Sequence, residues 1–328
     1  MKAVQLKKYG LPEKVLEIKE VAKPTPKENE VLVKIHATTI NDYDWSLVRG
    51  KPYLYRLMFG IFKPKHHIPG MELAGIVEGI GSKVKSLKVG DAVFGDTSEY
   101  GFGTFAEYIC INEKAVIKKP DDLSFEETAS IPHAFTLALQ ALRDIGKISQ
   151  GQKVLINGGG GGVGTLGLQL AKLYNCEVTG VDSNEKLEMM KSIGYDFVLD
   201  YKEINFTKNG EEYDLILDCK TNKSAFSYLR SLKPNGKYVT IGGKLSSLIG
   251  VLFFGKIISV FLTKKLQILN LKPNKDLDYI CELFKQNKIE CKIDGPYFLD
   301  DIPRLIQYFG EGMHKGKIVI KMNAQQHV

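Results

Sequence analysis

The stretch "KVLINGGGGGVGTLGLQLAKL", Lys153 to Leu173, sets five consecutive glycines, Gly158 to Gly162, and a sixth, Gly164, between two apolar segments. Glycine is entropically costly to order, so such a cluster needs a reason. A flexible linker would sit between polar, aperiodic flanks. Here Val154, Leu155 and Ile156 form an apolar run with a β-branched residue at each end, and Val163, Leu166, Leu170 and Leu173 recur at helical spacing. The segment reads as strand, glycine turn, helix.

Within the turn, Gly159, Gly161 and Gly164 satisfy G-x-G-x-x-G. The first permits the tight turn, the second lets backbone approach a pyrophosphate, and the third lets helix and strand pack closely. A phosphate would rest on unpaired N–H groups at the helix start, where the dipole favours an anion. Gly159, Gly161, Gly162, Val163 and Gly164 are therefore the candidate cofactor-binding residues of the turn. Downstream, "CEVTGVD" reads as a second strand ending in Asp182. That acid stands near the ~20-residue spacing at which a carboxylate accepts from the adenosine ribose.

At 328 residues the chain has room for about two domains. A hydrophobic content of 44% with 25% charged residues is that of a globular protein. The net charge of +7 includes no dense basic block interleaved with aromatics, so no nucleic-acid partner is expected. Five scattered cysteines without a C-x-x-C suggest neither a disulfide framework nor a zinc ribbon. The start "MKAVQLKKYG" has no apolar core of a secretory signal, and a cytoplasmic location is expected. The apolar run Leu248 to Leu262 is interrupted by Lys256 and short of the ~20 residues of a membrane span. It reads as a buried or interfacial helix, lining a substrate pocket or a subunit interface, with no stable membrane span.

The first ~120 residues are punctuated by Gly70, Gly75, Gly81 and Gly90 and read as β-rich. Beyond about Leu123 strands and helices alternate, with helices expected over Asn184 to Ile193 and near Ser224 to Leu232. Such alternation implies a doubly wound parallel sheet and an α/β fold. A last helix, about Pro303 to Phe309, and the strand "KIVIKM" are expected to return to the first domain.

"GMELAGIVEGIGSKV", Gly70 to Val84, resembles the G-H-E-x-x-G-x5-G-x-x-V pattern of zinc alcohol dehydrogenases, with Met71 where the histidine stands. "INDYDWSLVRG", Ile40 to Gly50, resembles the N-x-x-D segment of zinc-independent quinone oxidoreductases, and "PHAFTLALQALRD" and "MHKGKIVIKM" are similar to that family too. The resemblance, to the medium-chain dehydrogenase/reductases of quinone-oxidoreductase type, runs from Met1 to Met322. It implies a GroES-like β-rich domain from residues 1–123 and 289–328 and a Rossmann domain from residues 124–288. It further implies reduction of quinones or α,β-unsaturated carbonyls with NAD(P)H, in a homodimer.

Catalytic zinc takes three protein ligands and an open position. The segment that supplies a thiolate in the zinc enzymes has no cysteine here, Met71 is a poor ligand, and the closely spaced cysteines of a structural zinc lobe are missing. No metal is expected. Without a Lewis acid, a conjugated carbonyl is the easier substrate, because its oxygen becomes a stabilised enolate.

Candidate catalytic residues are Asn41 as an amide donor, Asp44 as an orienting group, and Tyr43 or Tyr53 as the proton source. Glu72 is a motif residue suited equally to an ion pair and to catalysis. The resemblance places Thr136 at the nicotinamide end, although the family's "GLTA" is here "AFTLA". It also implies cofactor contacts from Asp218, Gly242 and Gly243 at strand ends, from Lys186 and Tyr201 at the adenosine pocket, and from Lys317. Asp182 favours NAD(H) while Lys186 and Tyr201 suit a 2′-phosphate, so binding of both cofactors is expected. Two other readings stay open: a zinc-type alcohol dehydrogenase, and a nucleotide-binding scaffold without activity.

Overall fold

The computed structural model describes residues 1–322, the Ser259 side chain apart. The chain divides into two compact units, the second formed by Ala134–Lys272 and Asp278–Lys292 and the first by the other described residues.

The second unit is built on a six-stranded parallel sheet. Its spatial order is Phe197–Asp200, Glu177–Asp182, Lys153–Asn157, Tyr213–Asp218, Leu232–Thr240, Lys265–Ile268. In chain order this is 3-2-1-4-5-6, the doubly wound Rossmann arrangement. The direction of winding reverses between Lys153–Asn157 and Tyr213–Asp218, and the glycine turn leaves the first of these strands. Val154, Leu155 and Ile156 are fully buried, as expected of a central parallel strand covered on both faces. The helix Gly162–Leu173 follows. The expected helices are present as Asn184–Ser192 and Ala225–Arg230, the second capped by the Ser224 hydroxyl accepting from the Ser227 N–H.

The first unit carries a seven-stranded sheet. Lys317–Lys321 lies antiparallel beside Glu30–Thr39, which in turn pairs antiparallel with Glu72–Ile80. Val319 faces Thr39 and Leu73 faces Thr38, so Lys317, Thr39 and Glu72 come to one end of three adjacent strands. The helix Ile302–Gly310 precedes the last strand, so sequence from both ends of the chain builds this unit.

By contacts, residues 124–133 and 273–277 group with the first unit and residues 289–292 with the second. Phe125 stacks on His36 with ring centroids 4.4 Å apart, and Glu126 pairs with Lys321 at 2.6 Å. Asn274 accepts from the Asp96 N–H and donates to the Asp96 carbonyl, both at 2.8 Å.

Candidate active site

In the second unit, the Gly158 and Gly159 N–H groups donate to the Val181 carbonyl at 2.8 and 3.1 Å, tying the turn to the neighbouring strand. Gly158 has φ +92°, a conformation that favours glycine. A Cβ at Gly164 would fall 2.3 Å from the Gly158 carbonyl oxygen, so the third glycine is required by the approach of helix to strand. Gly161 caps the helix with φ −89° and ψ 177°, which any residue can adopt. Its value therefore lies in leaving room. The N–H groups of Gly162, Val163 and Gly164 open the helix and have no partner within it, the arrangement that receives a phosphate.

Asp182 is buried and turned back on the glycine turn. Its Oδ2 accepts from the Gly160 N–H at 2.9 Å, its Oδ1 accepts from the Ser183 N–H at 2.9 Å, and the Lys186 ammonium lies 3.4 Å from Oδ1. A carboxylate offers about four lone-pair positions, so capacity remains for a ribose hydroxyl. Lys186 is buried, and its chain runs 2.6 Å from where a Gly160 Cβ would stand. Tyr201 is exposed and its N–H donates to the Asp182 carbonyl, which sets it at the same strand end. Gly242 and Gly243 follow the strand Leu232–Thr240. A Cβ at Gly242 would meet nothing within 4 Å, whereas Gly243 has φ +140° and no room beside the Lys220 carbonyl. Thr136 is fully buried and its hydroxyl has no hydrogen-bond partner among the described residues, which leaves its donor unspent.

Asp218 behaves differently from the sequence expectation. Asn157 Nδ2 and the N–H groups of Lys220 and Thr221 donate to its Oδ1, and the Tyr238 hydroxyl donates to its Oδ2, at 2.8 to 2.9 Å. Burial raises its pKa against these donors. With four protein donors in place, the carboxylate builds the loop after its strand.

In the first unit, Asn41 caps the helix Asp42–Arg49, and Asp44, at the third helical position, reaches back to the Asn41 N–H at 2.9 Å. The N-x-x-D spacing is thus the spacing of a helix start. The other oxygen of Asp44 accepts from the Gly70 N–H at 2.9 Å. Burial pushes the Asp44 carboxyl up to about 7, against the pull of these two N–H groups and of Lys317.

Glu72 is fully buried at the centre of a polar cluster. Lys317 Nζ lies 2.6 Å from its Oε2, Asn41 Nδ2 donates to the same oxygen at 2.7 Å, and the Thr39 hydroxyl donates there too. The His133 N–H donates to Oε1 at 2.5 Å. Lys317 also donates to Asn41 Oδ1, so both ends of that amide are engaged within the cluster. Lys317, placed among the cofactor contacts by the sequence, spends its ammonium here, because burial demands a carboxylate partner.

Residues 27–121 match the family "Alcohol dehydrogenase GroES-like domain", and residues 162–269 match the family "Zinc-binding dehydrogenase". The chain is 31% identical to a chloroplast envelope quinone oxidoreductase homolog of Arabidopsis thaliana, over 98% of each chain. It is 32% identical to a 2-methylene-furan-3-one reductase of Solanum lycopersicum, over 98% of this chain and 79% of the other. The structure of the quinone oxidoreductase from Coxiella burnetii superposes with a TM-score of 0.85 at 28% identity, covering 98% of this chain and 99% of that one. The chain belongs to the medium-chain dehydrogenase/reductase superfamily, as a quinone-oxidoreductase-like member.

Members of this superfamily include zinc enzymes, so the fit of a metal decides the chemistry. Around Glu72 the donors are an amide, a hydroxyl and the Lys317 ammonium, with the fully buried thioether of Met71 next in sequence. The ammonium already supplies the positive charge that the carboxylate needs and would repel a divalent ion. No group of three or more His, Cys, Asp or Glu among the described residues could hold a metal. These residues do not fit zinc.

Tyr43 is half-buried, its ring edge-on to His133 at 5.9 Å and to Phe59 at 6.3 Å. Burial, then the charges of Asp42 and Asp96, raise its pKa. Tyr53 is exposed, with the Arg56 guanidinium 4.9 Å from its ring centre. His133 was missed by the sequence reading. Its Nδ1 lies 2.8 Å from Asp96 Oδ2, and burial of Asp96 is outweighed by donors from His133 and Ser98, leaving that carboxyl below its usual range. Nothing in the local pattern "PHAFT" announces these contacts, which span 37 and 61 residues of sequence. Thr39 was missed for the same reason.

Proposed function

We propose that this protein reduces quinones and α,β-unsaturated carbonyls with NAD(P)H, without a metal. A dinucleotide-binding turn is intact, and the place of a metal ligand set is taken by a closed cluster in which Lys317 neutralises Glu72. That closed cluster is the observation that carries the reading. A bound nicotinamide supplies the hydride. The chain's part is to hold the cofactor through the turn and Thr136, to keep the loops rigid, and to deliver a proton. Asn41 and Asp44 serve as positioning residues, since the amide is held by Glu72 and Lys317 and the carboxyl ties the Asn41 and Gly70 backbones together. Tyr43 supplies the proton, its half-buried hydroxyl being protonated at neutral pH, and Tyr53 is the second donor. Both NADH and NADPH bind: Asp182 opposes a 2′-phosphate and its partner Lys186 lessens that opposition. We place the enzyme in the cytoplasm, where the thiols of Cys110, Cys176 and Cys219 stay reduced, and as a homodimer.

The test is transfer from 4-deuterated NADPH to a simple enone. Deuterium is expected on the carbon β to the carbonyl, in a saturated ketone. Deuterium on the carbonyl carbon, in an allylic alcohol, contradicts the reading.

A further inference from the structure

We propose that the outward face of the helix Leu245–Phe261 is a docking surface for an anionic phospholipid bilayer. The inference is independent of the reduction chemistry.

Ile249, Leu252, Phe253, Lys256, Ile257 and Val260 follow one another at helical spacing along a single stripe. That stripe is the exposed side of the helix: Phe253 is 64% and Val260 76% exposed, and Phe261 at its end is 79% exposed. Val251 and Ile258 hold the opposite side in the core of the second unit. An exposed apolar patch of this kind marks an interaction site. No helix among the described residues is long and apolar enough to cross a membrane, and the inner side of this one is held in the core, so only its exposed face is left to meet a bilayer surface.

The charge around the stripe selects the partner. Residues 219–272 contain ten Lys and Arg and no Asp or Glu. The positive excess of the whole chain lies inside this segment, since the remainder is slightly acidic. Lys244 stands at the helix start and Lys264 and Lys265 just beyond its end. Lys233 and Lys264 reach the carboxylates of Asp214 and Glu212, outside the segment. Lys256 sits within the stripe, where its alkyl stem can lie along apolar neighbours and raise its charge to headgroup level. An apolar stripe with Lys244, Lys256, Lys264 and Lys265 along it and at its ends, in a segment that contributes no acid of its own, matches an anionic lipid surface in both respects. A second copy matches it in only one, because two such faces bring like charges together.

The test is flotation of the full-length chain with vesicles. Vesicles of phosphatidylcholine alone are compared with vesicles containing about three-tenths phosphatidylserine, at about 0.1 and 0.5 M salt. Binding to the phosphatidylserine vesicles is expected at least about tenfold stronger than to phosphatidylcholine, and largely lost at the higher salt. Phe253→Ser/Phe261→Ser and Lys264→Glu/Lys265→Glu should each weaken it about tenfold or more. Unchanged melting temperature and NADPH binding show that the variants are folded. Failure to float with the phosphatidylserine vesicles, or unweakened binding by the phenylalanine variant, overturns the proposal. So does a wild-type dimer that this variant dissociates, which would make the helix a subunit interface, or binding of an RNA oligonucleotide in place of vesicles.

Discussion

Two buried carboxylates, one in each unit, are met by a lysine, and the two pairs are put to opposite uses. In the first unit Glu72 has Lys317 at 2.6 Å together with donors from Asn41, Thr39 and His133. In the second, Asp182 has Lys186 at 3.4 Å and two backbone N–H donors, beside a helix start whose first N–H groups have no partner within the helix. The first pair is closed: its charge is matched within the protein and it has no place for a cation. The second is open, since Asp182 keeps lone-pair capacity and the first N–H groups of the helix have no partner within it. A closed pair fixes geometry and an open one recruits a ligand.

Breaking the closed pair should give the largest effect. Lys317→Met leaves Glu72 buried beside neutral donors, and losing one partner of such a pair costs about 3–5 kcal/mol. Chemical denaturation should report that loss, and Glu72→Gln added to Lys317→Met should restore part of it. A loss below about 1 kcal/mol would mean that the pair is exposed to water.

Next in size is the open region. Gly161→Val has an ordinary backbone conformation to occupy, so the protein should fold while its side chain fills the pyrophosphate's place. NADPH affinity should fall about a hundredfold or more, a change of about 3 kcal/mol. Gly164→Val, by contrast, strikes the Gly158 carbonyl and should lower stability itself. Equal affinity in wild type and folded Gly161→Val would remove the turn from the cofactor site.

The smallest effect concerns selectivity. Asp182→Ser removes a negative charge but keeps a hydroxyl for the Gly160 N–H. The ratio of NADPH to NADH affinity should rise about tenfold, or about 1.4 kcal/mol. Titration of each cofactor measures it, and an unchanged ratio would place the adenosine elsewhere.

The second unit was largely legible in the sequence because its determinants are local. Strand, glycine turn, helix and Asp182 lie within 30 residues, and each has a periodic or steric signature. The first unit's site was legible only in part. Asn41 and Asp44 were singled out, but their capping geometry and the meeting of Lys317 with Asn41, 276 residues apart, follow from strand order. The contacts of Phe125 with His36 and of Asn274 with Asp96, whose partners are remote in sequence, had no local signature either. The apolar helix was expected to be buried or interfacial. Its hydrophobicity gave no sign of which side faces the core, and the structure leaves most of it exposed.

The central claim is that Lys317 and Glu72 close the place a metal would take, so that reduction proceeds without one. The most direct test is to dialyse the purified full-length protein against a strong chelator, assay its zinc, and measure NADPH-dependent reduction of an enone beside oxidation of a simple alcohol. The expected result is no stoichiometric zinc before or after dialysis, enone reduction unchanged, and alcohol oxidation far weaker. Stoichiometric zinc whose removal abolishes activity, restored on adding zinc back, would contradict the account.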